Sequence, residues 1–145
     1  MNTSRSKSCP ISTTLDIIGD KWTLLIFREI IFLNKTTYNE ILESVEGIAT
    51  NILANRLKFL EENRLLIKKA SPNNKLKKNY FLTNKAIGLL PIIFEVVIWG
   101  TNNLDPENGN KLFKQILKSK TSTLKKYEIL LKNRLNDALK NEASE

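Results

Sequence analysis

The sequence predicts a mostly α chain with a small β-hairpin: a winged helix-turn-helix followed by a C-terminal helical extension. Three observations predict it. Two helical segments, Thr37 to Val45 and Ala49 to Glu62, meet at a turn around Gly47. A lysine-rich hairpin follows them at once, between Leu66 and Thr83. Past Asp105, apolar residues recur at helical spacing to the end of the 145-residue chain. The expected organisation is a unit over residues 1–104 and an extension over 105–145.

The elements follow in order. Residues 1–8 are polar and read as a loose tail. Pro10 suits the first turn of a helix carrying Ile11, Leu15, Ile17 and Ile18, which Gly19 ends. Asp20 can cap the next helix. That helix is apolar on most sides, from Trp22 to Leu33, with Lys21, Arg28 and Glu29 as its expected wet edge. Asn34 can close it. Thr37 and Glu40 have capping-box spacing, and Tyr38, Ile41, Leu42 and Val45 form the expected inward stripe. In the helix after Gly47, Ile52, Leu53, Leu57 and Leu60 face inward at helical spacing.

The hairpin is predicted as strands 66–70 and 79–83 around a cationic loop, Ser71 to Lys78, anchored by Tyr80 or Leu82. A further helix runs to about Asn103, with Pro91 expected to kink it. Its apolar residues surround nearly the whole circumference. Either a second copy of the chain or the C-terminal segment must cover the surplus. A break over Asn102 to Gly109 precedes two amphipathic helices, one with Leu112, Phe113, Ile116 and Leu117, the other with Leu124, Tyr127, Leu131 and Leu135.

Composition narrows the function. The net charge is +8, with 10 basic and 8 acidic residues in 1–70 against 13 and 7 in 71–145. Six lysines and no acid lie between Lys68 and Lys85. Such a surplus favours a polyanionic partner. There is one cysteine and no histidine. No metal site of ordinary ligation and no imidazole-dependent triad is expected, nor any cofactor. No catalytic constellation is visible, so an enzyme is not expected. The first residues lack an apolar signal core, and the most apolar run, Ile87 to Trp99, is too short to span a bilayer. A cytoplasmic protein without membrane association is expected.

The helix after Gly47 presents Thr50, Asn51, Asn55, Arg56 and Lys58 outward. Asn pairs bidentately with adenine and Arg with guanine in the major groove, and small residues permit close approach. Lys75, Lys77 and Lys78 in the hairpin suit phosphate neutralisation, and Thr37 and Tyr38 sit where a helix start can touch the DNA backbone. Double-stranded DNA is the expected partner.

Four groups of residues carry a resemblance to a known family: Cys9-Pro10 with Leu15 through Ile26; Tyr38-Asn39-Glu40-Ile41; Leu53 with Arg56-Leu57 and Leu60-Glu61; and Tyr80, Leu82-Thr83 and Trp99-Gly100. Over about Cys9 to Gly100 the chain resembles the HxlR-type bacterial regulators, a winged helix-turn-helix group related to the multiple-antibiotic-resistance repressors. The resemblance implies a sequence-specific transcriptional regulator acting as a homodimer on a palindromic operator. The dimer would be built from the first and late helices, at Ile11, Leu15, Ile93, Val97 and Trp99. Some relatives sense electrophiles or oxidants with a thiol at the Cys9 position, which makes Cys9 a candidate redox sensor and a small-molecule or electrophile effector conceivable. Arg5 and Lys7 nearby suit a reactive thiolate; a buried, inert Cys9 is the competing reading.

The sequence departs from the family pattern in four places. Ala49 stands where Ser usually caps the recognition helix, a loss of about 1 kcal/mol unless Thr50 takes over. Thr37 replaces a common Arg. Asn63-Arg64 replaces a glycine turn, with Asn63 the more comfortable left-handed residue. The tail past Asp105 is longer than in most relatives. A protein-binding winged-helix module, with that tail as docking arm, is the alternative function.

Overall fold

The computed structural model describes residues 8–104 and 111–143. Helix α1 spans Pro10–Ile18 and ends at Gly19, where a Cβ would collide with the carbonyl oxygen of Leu15. Asp20 caps α2 (Lys21–Phe32), accepting from the backbone N–H groups of Trp22 and Thr23. Asn34 takes a left-handed conformation (φ 51°) and turns the chain. The Thr37–Glu40 capping box forms and starts α3 (Tyr38–Leu42). Gly47 (φ 68°) supplies the turn into α4 (Thr50–Glu62).

At the end of α4, Arg64 rather than Asn63 is left-handed (φ 60°). Asn63 stays right-handed because its side chain bonds back to the carbonyl of Phe59 at 2.8 Å. Arg64 in turn presents its carbonyl to the Thr83 hydroxyl, 2.6 Å away.

Strands β1 (Leu66–Ser71) and β2 (Asn74–Leu82) pair antiparallel from Leu66↔Leu82 to Ser71↔Asn74. The lysine-rich stretch expected as a loop is mostly strand, and the turn shrinks to Pro72-Asn73. Leu66, Tyr80 and Leu82 are buried and fix the hairpin base. A bridge between Thr37 and Asn79, with Tyr80 N–H donating to Thr36 O at 2.8 Å, ties the hairpin to the start of α3.

Helices α5 (Asn84–Ile87) and α6 (Leu90–Asn103) are separated by Gly88-Leu89. Pro91 does not kink a continuous helix; it sits in the first turn of α6, where its missing N–H costs nothing. Residues 84–103 are together long and apolar enough to cross a bilayer. Here their inward face, Ile87, Leu90, Ile93 and Phe94, joins the core.

Helices α7 (Lys111–Lys118) and α8 (Lys120–Ala143) follow. Of the break expected over Asn102 to Gly109, Asn102 and Asn103 are still helical in α6, and 105–109 lie outside the described residues. Ile116 and Leu131 belong to the same buried cluster as Phe27, Leu57 and Phe94. Phe32 lies 5.1 Å from Tyr127, 6.2 Å from Phe94 and 6.5 Å from Phe113, ring centre to ring centre. Arg134 of α8 donates to the Ile30 carbonyl at 3.4 Å, and burial pulls its guanidinium down from its ordinary value. The C-terminal segment therefore covers one side of α6. Ile93 is buried within this core and is not available to a second copy.

Candidate nucleic-acid interface

The outer side of α4 is built by periodicity. Leu53, Leu57 and Leu60 are buried, which turns Thr50, Asn51, Ala54, Asn55 and Lys58 to solvent. These are two amides, a hydroxyl, a methyl and an ammonium on one face, with the first acid only at Glu61. Ala49 gives no side-chain cap. The Tyr38 hydroxyl donates to Thr50 O at 3.0 Å, which ties α3 to the start of α4 but leaves its first N–H groups without a side-chain cap.

Arg56 departs from the sequence expectation. Its side chain is only 18% exposed, and Nη1 lies 3.7 Å from Asp20 Oδ1. The guanidinium stacks 4.1 Å over the Phe59 ring, and Nε and Nη2 are fully buried. A bidentate contact to guanine needs two outward N–H groups. This geometry does not offer them.

Thr37 also departs from it. The residue is buried, its hydroxyl accepts from Glu40 N–H at 3.2 Å and donates to Glu40 Oε1 at 2.8 Å, and its own N–H reaches the same carboxylate. Both of its polar groups are engaged within the capping box, not presented to a phosphate. The Glu40 carboxyl is held below its usual range, chiefly by the Thr37 hydroxyl.

Lys75, Lys77 and Lys78 are all exposed on β2. Lys77 adds a cationic field at Glu40, and the Thr37–Asn79 bridge joins the wing to the start of α3. Tyr38 is half-buried there.

Helix α2 carries a buried acid. Glu29, expected at a wet edge, is almost fully enclosed. Its Oε1 pairs with Arg28 Nη2 at 3.0 Å and its Oε2 lies 3.5 Å from Lys35 Nζ. Arg28 also reaches Glu46 and Ser44, at 3.0 and 3.2 Å. Burial pushes the Glu29 carboxyl up, but hydrogen bonds from Ser44 and Arg28 and the charges of Lys35 and Arg28 outweigh it, leaving it below its ordinary value. Val45, expected inward, is exposed, because the chain leaves the helix at Leu42.

Away from the α4 face, Ile11 (73% exposed) and Leu15 (56%) form an uncovered pair on α1. Ile92, Val96 and Trp99 (60% exposed) form an uncovered row on α6. Val97 is half-buried against the core. Ile92 and Val96 were not singled out from the sequence, because α6 is apolar all round and periodicity gave no phase. Cys9 is half-buried at the start of α1. Arg5 and Lys7 lie outside the described residues. Among the described residues no group of acids or cysteine is arranged to hold a metal.

The chain is similar to known proteins over most of its length. The MalR regulatory protein of Fusobacterium mortiferum is 33% identical over 66% of this chain and 90% of its own length. Among solved structures, the transcription factor PA1607 superposes with a TM-score of 0.63 at 34% identity, over 68% of each chain. The reduced form of the regulator YodB from Bacillus subtilis gives 0.55 at 27% identity, over 69% of this chain and 98% of its own. YodB has also been solved diamide-treated and quinone-bound. These relatives are regulators of transcription, not enzymes. Residues 17–108 match the HxlR-like helix-turn-helix family, and the chain belongs to that family.

Proposed function

We propose that the chain is a homodimeric, sequence-specific DNA-binding regulator that acts on a palindromic operator. One observation carries this reading. Thr50, Asn51, Asn55 and Lys58 share an exposed face of α4 that carries no acid before Glu61, and Lys75, Lys77 and Lys78 are exposed on the wing that follows. The amides can read base edges while the ammonium groups hold phosphates. Ile11 and Leu15 on α1, with Ile92, Val96 and Trp99 on α6, supply an apolar surface of the kind that a two-fold dimer covers. Such a dimer places one α4 per half-site, about one helical turn apart. A regulator of this kind works in the cytoplasm, where the DNA is.

Cys9 is the candidate sensor. YodB is a relative with diamide-treated and quinone-bound structures, and Cys9 sits half-buried at the start of α1, next to the proposed dimer face. Diamide or a quinone should change the DNA affinity of the native chain and leave Cys9→Ser unaffected; equal responses remove the sensor.

The deciding experiment is selection of bound sequences from random duplexes. A two-fold symmetric consensus is expected, together with a dimeric mass by sedimentation. No enrichment at all would overturn the reading and leave the protein-binding module in its place.

A further inference from the structure

We infer that Arg56 is a positioning residue that locks the recognition helix to the start of α2 and thereby sets the spacing of the two half-sites. The inference rests on the DNA-binding reading above and assigns Arg56 a part in it other than base contact.

The geometry begins at Asp20. Its Oδ2 accepts from Trp22 N–H at 2.9 Å and Thr23 N–H at 3.0 Å, and its Oδ1 accepts from the Thr23 hydroxyl at 2.5 Å. Thr23 is fully buried, so the carboxylate is fixed in place. The same Oδ1 faces Arg56 Nη1. On its other side the guanidinium is held against Phe59, one turn further along α4. Two of its nitrogens are buried without a hydrogen-bond partner. A half-buried cation with two enclosed, idle donors is costly unless the carboxylate beside it stays in place. The pair therefore resists any rotation of α4 that would part it from Asp20.

Asp20 also stands immediately after Gly19, where α1 ends. Helix α1 carries Ile11 and Leu15, the proposed dimer contact. A tilt of α1 against its partner would move Asp20, and Asp20 would carry Arg56 and α4 with it. Across a two-fold axis the same link acts twice, so it controls the separation of the two reading faces rather than the bases each face prefers.

The test is random-duplex selection on the native chain, Arg56→Met and Asp20→Asn. Asn still caps a helix, and Met keeps an apolar stem over Phe59. Each variant should keep the native base preferences within a half-site but accept a broader range of half-site spacings. Affinity for the native consensus should fall about tenfold, within the usual range for coupled sites. The double variant should lose no more than the worse single one. Should Arg56→Met not fold, Asp20→Asn decides alone by the same two readouts. Loss of preference at one base position in Arg56→Met, with spacing unchanged, would make Arg56 a base reader and overturn the inference. Unchanged spacing and affinity in both variants would overturn it too. If the native chain selects nothing, the DNA reading has failed, and the positioning role falls with it.

Discussion

The Tyr38 hydroxyl donates to the carbonyl oxygen of Thr50 at 3.0 Å, joining the first turn of α3 to the first turn of α4. The bond is a direct polar link between the two helices, separate from capping, since Ala49 leaves the first N–H groups of α4 without a side-chain acceptor. Tyr38→Phe removes it without altering the ring. The expected cost is about 1 kcal/mol, the net worth of one partly exposed hydrogen bond, which lowers the melting temperature by roughly 3 °C. A melting curve checks it. If Tyr38 instead contacts phosphate, the substitution would leave melting unchanged and weaken binding to all duplexes alike, with the salt dependence unaltered.

Glu29 gives the fold a distinct response to acid. Its folded-state carboxyl lies below its ordinary value, so folding favours the charged form. That stabilisation is fully present above the unfolded value of about 4.3 and is lost as pH falls through the depressed folded value. Glu29→Gln keeps the shape and removes the charge facing Arg28 and Lys35. We expect a loss of about 2 kcal/mol at neutral pH. Denaturant unfolding should also show a flatter decline below about pH 4.3 for the variant. Parallel acid profiles for the two proteins would show that the charge contributes nothing.

These two residues show what the sequence makes legible. Local chemistry reads well: Asp20 before Trp22, the Thr37–Glu40 box, Gly19 and Gly47 each declared an element end within a few residues. Face assignment on a strongly patterned helix also reads well, as Leu53, Leu57 and Leu60 show. What escapes is any property decided by a distant partner. Glu29 looks solvated until Lys35, Ser44 and Arg28 close around it. Arg56 looks like a base reader until Asp20, on another helix, meets it. Ile93 looks like a dimer contact because α6 is apolar on every side, and only α7 and α8 decide which side they take. Arg64 takes the left-handed turn in place of Asn63 because the Asn63 amide was already bonded to Phe59.

Lys77 should act on DNA through charge alone. It is exposed on β2, and its neighbours Lys75 and Lys78 continue the basic edge. Lys77→Ala is expected to weaken binding to all duplexes to a similar degree. The slope of log affinity against log salt should fall by about 0.9, one released counterion. Binding curves at four salt concentrations measure this directly. A change confined to one sequence would mean that Lys77 touches a base.

The C-terminal helices invite removal, because the family match ends at residue 108. Their removal would not be a clean dissection. Ile116 and Leu131 are buried in the same cluster as Phe94, and Tyr127 caps Phe32 edge-on at 5.1 Å. Leu131→Ala alone should cost about 3 kcal/mol, as for other buried leucines, and truncation after Leu104 should expose Phe32, Ile93 and Phe94 and cause aggregation. Reversal of Lys125 and Lys126 to Glu is the better probe of a docking arm, since both are exposed and their loss opens no cavity. If the segment serves only to complete the core, the double reversal leaves melting and native partners unchanged while Leu131→Ala lowers melting sharply. If it docks another protein through its basic side, the reversal abolishes that contact with melting intact.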